Sequence, residues 1–241
     1  MAGKGGFVGN EEGKGFLVTI GSWIYWIVVI EVLLVLTCLP TLVAFLLTGW
    51  SGTGVLIAGL SMIFVGPAMA AALFAWRKKL TDSDMSPARH FFRGYRVSVK
   101  DVALWWVPVI VVATAILMAW LNRSVYDGPE WMLYFSGLVL IVLALVSCHM
   151  LQLSALFSFR VRDRVRLAIS SAIMHPIVTF GYAALLFLAG ALVWLVGDIV
   201  LVLFASVFSL FAYLDGQPVE RDITRRFIAT PDDGDDEPVQ N

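Results

Sequence analysis

The sequence predicts an all-α polytopic membrane protein: a bundle of six transmembrane helices with both termini in the cytoplasm, plus a cytoplasmic interfacial amphipathic helix. Three observations lead to this class. The 241 residues are 59% hydrophobic and 15% charged, with a mean hydropathy of +0.84, too apolar for a water-facing globular surface. Long apolar runs recur along the chain, each close to the length a bilayer requires. Under the six-span reading, 16 of the 17 Lys and Arg residues fall on one side, which the positive-inside rule makes cytoplasmic.

A hydrocarbon core about 30 Å thick takes roughly 20 residues of helix, because backbone polar groups in lipid must be satisfied internally. Residues 1–15 form a polar, Gly-rich N-terminal segment. The apolar run behind it is longer than a signal-peptide core and is expected to stay in the mature chain. The transmembrane domain covers 16–214. Its first span runs from Phe16 to Leu47, with a bend at Pro40, and its second from Gly54 to Trp76, interrupted at Gly66-Pro67. A third covers Val102 to Leu121 and a fourth Trp131 to about Phe157. The apolar stretch from Pro176 to Leu214 is broken only by Gly197-Asp198; it is too long for one span and suits a fifth plus a short sixth from Ile199. One very long tilted helix is the alternative. A basic juxtamembrane segment, 215–230, comes next with Arg221, Arg225 and Arg226; an odd number of spans would strand it outside. The last stretch, 231–241, carries five acids and almost nothing apolar, a composition that favours disorder.

On the cytoplasmic side, Ser86 and Pro87 read as the start of a helix over 86–100. Phe91, Phe92, Tyr95 and Val99 share one of its faces, and Arg89, Arg93, Arg96 and Lys100 run beside them. Such a helix suits the inner headgroup boundary, rings in the interface and cations on anionic lipid, or else the docking of a partner. Arg160, Arg162, Arg164 and Arg166 alternate, so a helix would spread them around its axis; topology and lipid anchoring account for them.

Within the spans, Glu31 is the one acid at depth. A carboxylate there costs on the order of 3 kcal/mol unless paired or neutralised. Thr114 and Ser206 reach a similar depth, so Glu31 reads either as an interhelical hydrogen bond or as a proton-coupling or substrate-polarising group. His149 and Gln152 share a helical face and either line a polar cavity or bond a neighbouring helix, while His175 before Pro176 reads as an interfacial cap. Gly66-Pro67 permits a break of the kind that lines transporter sites and that also occurs at ordinary helix crossings. Cys38 and Cys148 read as small buried hydrophobes. No metal site is suggested, no cofactor, and no nucleic-acid partner. Phosphate-binding, dinucleotide, nucleophile-elbow and zinc-protease motifs are absent from the sequence, and no enzyme activity is expected.

The run Gly66-Pro67-Ala68-Met69-Ala70-Ala71-Ala72-Leu73-Phe74, then Arg77-Lys78, Phe91-Phe92 and Tyr95-Arg96, resembles the YesL-like family of bacterial integral membrane proteins, a domain of unknown function. The layout extends the resemblance over roughly Gly15 to Phe227. Val97-Ser98-Val99 stands where the family pattern has an Asn. The resemblance implies no catalytic residues. It implies a bacterial cytoplasmic membrane location and a setting beside carbohydrate ABC importers, hence an accessory subunit that binds permease and ATPase subunits. An autonomous small-solute transporter or channel, with a polar path through Glu31, Ser61, Thr114 and Ser206, is the second expectation; a membrane-resident regulator or assembly factor is the third.

Overall fold

A computed structural model describes residues 9–48, 52–81, 86–123, 129–157 and 160–227. Among the described residues all the elements are helical: α1 (Gly9–Thr37), α2 (Leu39–Leu47), α3 (Gly52–Ser61), a 3-10 turn (Met62–Phe64), α4 (Val65–Thr81), α5 (Pro87–Leu121), α6 (Glu130–Leu156), α7 (Val161–Met174), α8 (Pro176–Val196), α9 (Ile199–Leu203) and α10 (Ala205–Phe227). Five stretches are long and apolar enough to cross a membrane: Val18–Thr37, Gly52–Thr81, Pro87–Leu121, Glu130–Leu156 and Pro176–Val196. The chain is therefore an all-α helix bundle of the multi-pass membrane type. The acidic stretch 231–241 and residues 1–8 lie outside the described residues.

The breaks obey local chemistry. The first run divides at Cys38, with Pro40 in the opening turn of α2, where its missing N–H costs nothing. The second run tightens into the 3-10 turn just ahead of Gly66 and Pro67, because the proline ring clashes with the carbonyl four residues back. After α8, Gly197 takes φ +110, a left-handed value that glycine adopts without strain. The chain reverses there and α10 packs back on α8. The single long helix over 176–214 is thereby excluded. The segment beyond the turn is itself broken between Leu203 and Ala205, and α10 continues through the stretch predicted as a juxtamembrane segment.

The helix expected over 86–100 is not a separate interfacial element. It is the first part of α5, a 35-residue helix. Pro87, His90, Phe91, Gly94, Ser98, Val102 and Trp105 are its buried residues; with His90 beside Phe91, they recur every three or four positions as one continuous stripe. That stripe packs along α4, where Gly94 lies against the Phe74 side chain. The α3–α4 strip lies antiparallel to α5. Three of its four glycines recur every seventh residue, at 52, 59 and 66, which keeps them near one face. Gly52 lies against Met118, Gly59 against Thr114 and Gly66 against the Trp106 ring. Lacking side chains, they let large neighbours close onto the α3–α4 backbone.

The core occupies one half of the bundle. Buried residues on α5 stop at Trp105, those on α6 begin at Ser147, and those on α8 stop at Tyr182. All of these fall toward the end that carries Arg77, Arg89 and Arg164, the basic end. Toward the opposite end, large apolar side chains such as Trp131, Tyr134, Phe135, Phe187 and Trp194 are exposed, as a lipid-facing surface requires.

The seam generates a sign test. A Cβ on Gly66 would meet the Trp106 ring at 2.7 Å, whereas one on Gly190 would meet nothing within 4 Å. Gly66→Ala is expected to destabilise by about 1–3 kcal/mol through overpacking. Gly190→Ala should stabilise by up to about 1 kcal/mol through helix propensity. Thermal unfolding of the two variants in detergent checks this.

Candidate functional site

α10 is the helix around which the basic half is built; α1, α4, α6 and α8 all contact it. Its inward stripe is Ser206, Ser209, Tyr213, Gly216, Val219 and Ile223, buried and spaced by three or four. Half of that stripe is polar, which is unusual for the centre of a membrane bundle and makes its partners the natural place to look for function.

At its start, the Ser206 main-chain N–H donates to Glu31 Oε2 at 2.8 Å. One turn on, Trp76 Nε1 donates to the Ser209 hydroxyl at 2.9 Å, and that hydroxyl donates to the Ser206 carbonyl at 2.7 Å. Glu31 Oε1 and the Ser206 hydroxyl are buried with no hydrogen-bond partner. Of the two residues predicted at Glu31's depth, the structure brings Ser206 to it and sends Thr114 to the glycine seam.

A second cluster joins α6, α8 and α10 (His149 and Gln152, Thr179 and Tyr182, Asp215 and Gly216). The Thr179 hydroxyl donates to the Ala172 carbonyl at 2.8 Å, spending its proton, so it accepts from His149 Nε2 at 3.1 Å. That assigns the imidazole proton to Nε2. The His149 ring stands edge-on to Tyr182, centroids 4.9 Å apart. Gln152 is 2% exposed, yet neither amide atom has a partner; the Tyr182 hydroxyl and Asp215 Oδ2 are buried without one as well. Gly216 leaves the space these groups occupy, since a Cβ there would fall 2.5 Å from the Tyr182 hydroxyl and 2.6 Å from the Gln152 amide. An orphaned polar group in a low-dielectric interior costs about 1–3 kcal/mol. Evolution commonly retains such groups where water, protons or ligand complete the set.

The basic end closes over this cluster. Arg77 Nε pairs with Glu220 at 2.7 Å, and its Nη1 donates to the Leu156 carbonyl at 3.2 Å. Glu220 also accepts from the Tyr213 hydroxyl at 3.3 Å. Lys79 lies over the Trp23 and Trp26 rings, 5.5 and 5.3 Å from their centroids, and donates to Ser22. Trp26 in turn stacks on His90.

The predicted lipid- or partner-facing residues separate into two groups. Arg89, Phe92, Arg93, Arg96 and Lys100 are exposed, and Tyr95 is half-buried. Phe91 is fully buried, so it faces protein where an interfacial ring was expected. The cause is that the α4–α5 packing stripe passes through it. The run 160–166 opens α7, on which Arg162 and Arg166 are exposed beside the apolar row Val165, Ile169 and Ile173; Arg160, its N-cap, is exposed too. Arg164 departs from the expectation of lipid anchoring. It is fully buried and donates to the Ser154 hydroxyl at 3.2 Å and to Asp101 at 3.4 Å. Asp101 was missed by the sequence reading, although an acid opening the third span next to Lys100 is a visible signal.

Gly66 and Pro67 are buried in the seam, and Trp106 Nε1 donates to the Met62 carbonyl inside the adjoining 3-10 turn at 2.9 Å. That break is thereby closed by protein. His175 caps α8 by position, and its side chain lies 3.4 Å from Asp222. Among the described residues no group of three or more His, Cys, Asp or Glu side chains could hold a metal ion.

Tyr182→Phe removes a hydroxyl that has no partner and is expected to be neutral or mildly stabilising. Gly216→Ala should destabilise by about 1–3 kcal/mol through overpacking, and adding Tyr182→Phe should restore part of the loss. A double-mutant cycle in thermal unfolding measures this; independent, additive effects would mean that the two residues do not share the site. No family model, curated protein or solved structure matches this chain.

Proposed function

We propose that this chain is a six-span subunit of the bacterial cytoplasmic membrane, both termini inside, which docks other membrane proteins as an accessory component of a carbohydrate ABC import system. The observation that carries the docking role is the division of the bundle: a packed core at the basic end, and apolar helix faces without intramolecular cover at the other. Faces of that kind accept lipid or the helices of a partner equally well. The carbohydrate setting comes from the YesL-like resemblance in the α4–α5 hairpin, and permease and ATPase subunits are the partners it implies.

The topology is supported by charge. Arg77, Arg89 and Arg164 share one end, while the Gly197 turn with Asp198 and the end of α5 with Arg123 belong to the other. α7 fits an interfacial helix on the anionic inner leaflet, with Arg162 and Arg166 for phosphates and Ile169 and Ile173 for acyl chains. In whole cells, Asp198→Cys and Arg123→Cys in a background without Cys38 and Cys148 should react with a membrane-impermeant maleimide, and Arg221→Cys should not. Labelling of Arg221→Cys would sink the six-span arrangement. For the role, affinity purification in mild detergent with mass spectrometry should recover permease and ATPase subunits in stoichiometric amount. An importer fully active without this chain, with no copurification, would overturn it.

One observation favours a transporter as the second reading. Glu31 Oε1 and the Ser206 hydroxyl are unpartnered at the start of α10. Beside them lies an apolar cavity of about 250 Å³ bounded by Leu34, Ala205 and, at its far end, Asp198. Solute flux in reconstituted vesicles that disappears in Glu31→Gln is the outcome this reading expects; absence of flux removes it.

A further inference from the structure

Three consecutive basic residues end α4, and the structure gives them different surroundings. Arg77 is immobilised by Glu220, by the Leu156 carbonyl and by the Phe157 ring, 6.0 Å beneath its guanidinium. Lys79 turns to α1 and its tryptophans. Lys78, between them, lines a crevice of about 630 Å³ that α4 forms with α10, a size within the roughly 300–1,000 Å³ range of small-ligand sites.

Among the described residues that line the crevice, the charged ones are Arg77, Lys78 and Arg221 with one acid, Glu220. Glu220 is engaged twice, by Arg77 at 2.7 Å and by the Tyr213 hydroxyl at 3.3 Å, so its charge is spent on groups that already hold it. Arg221 is steadied from one turn back on α10, donating to Gln217 Oε1 at 3.2 Å. That bond uses the acceptor of Gln217 and leaves its amide NH₂ as a donor in the wall. The Thr224 hydroxyl adds a further donor on α10. The lining is thus a surplus of cations with neutral donors between them, the composition that binds phosphate oxygens.

Its level in the bundle narrows the ligand further. Arg77 bonds the last helical residue of α6, and Lys79 bonds Ser22 near the start of the first spanning stretch. The crevice therefore sits where the spans end, and Leu214, exposed one turn ahead of Gln217 on α10, carries the surface on into the apolar region. We propose that this crevice is a phosphate-binding site, filled by the phosphodiester of an inner-leaflet anionic lipid or by a free phosphate. The inference uses the membrane placement proposed above and is independent of the docking role.

The full chain in phosphatidylcholine nanodiscs tests it, because both faces of a nanodisc are open and an inverted topology cannot hide the site. One arm adds inorganic phosphate at constant ionic strength; the other replaces part of the lipid with phosphatidylglycerol. The midpoint of thermal unfolding should rise by several degrees in at least one arm, and the arm that responds identifies the source. The rise should be lost in the double variant Lys78→Gln with Arg221→Gln, weakened in Arg221→Gln, and kept in Arg123→Gln, an exposed cation at the opposite end of the bundle. No rise in either arm overturns the proposal, as does a rise that Arg221→Gln leaves at its wild-type size. Should the double variant fail to fold, Arg221→Gln, an exposed residue, decides it.

Discussion

A helix that begins inside a bilayer has to find acceptors for its first N–H groups, since hydrocarbon supplies none. In the six-span arrangement proposed above α10 begins in that position, after the short α9 breaks off, and the Glu31 carboxylate meets the Ser206 N–H. The bond settles two costs together. The N-terminal partial charge of α10 favours an anion, and the buried carboxylate gains a donor it could not obtain from lipid. Glu31 lies eight residues along α1 from Trp23, about 12 Å of helix from the level of Lys79. Without that acceptor, α10 would have no reason to restart at this depth, and the inward stripe of Ser206, Ser209, Tyr213 and Gly216 would lose its register.

That register organises the basic half. Trp76 reaches Ser209, Arg77 reaches Glu220, and Gln152 and Tyr182 crowd Gly216, so α4, α6 and α8 each address a different turn of α10. α5 joins from the side through the glycine seam, and Arg164 draws α7 against α5 and α6 through Asp101 and Ser154. Large side chains close on glycine backbone and buried polar groups bond across helices, which is how membrane helices associate when apolar burial gives little preference between lipid and protein.

Much of the fold was legible in the sequence because apolar run length and charge placement are one-dimensional signals. The run lengths and the break near Pro40 could be read directly, whereas the reversal at Gly197 was one of two readings beside a single long helix. Facing was harder. Phe91 was placed in the interface because a helical wheel groups it with Phe92 and Tyr95, but a wheel does not say which neighbour a face meets, and α4 takes it. The four arginines of 160–166 look equivalent in sequence, and only the presence of Asp101 and Ser154 opposite one of them separates Arg164 from the rest. The seam at 52, 59 and 66 was visible as a seven-residue repeat, yet glycine is frequent enough elsewhere in the chain to mask it. Glu31, His149, Gln152 and Ser206 were singled out by polarity at depth. Asp215 and Tyr182, which complete the second cluster, were not, because an acid just past an apolar run and a tyrosine inside one are ordinary in isolation.

The distribution of these groups bears on which role the architecture suits. A conducting path needs polar groups that succeed one another across the bilayer and are weakly enough held to exchange partners. Here the polar clusters lie from mid-depth to the basic end. The deepest, at Glu31, is tied to main chain by a bond that also starts a helix, so releasing it for transport would disturb α10 and everything that packs on it. Beyond that depth the bundle offers apolar faces, and the hydrogen bonds there from the Thr41 hydroxyl to the Ser61 carbonyl and from Trp120 Nε1 to the Ser136 hydroxyl join neighbouring segments of the chain. In the docking role proposed above, the polar-stapled half would hold the chain's shape at one membrane face, and the apolar half would offer helix faces to a partner.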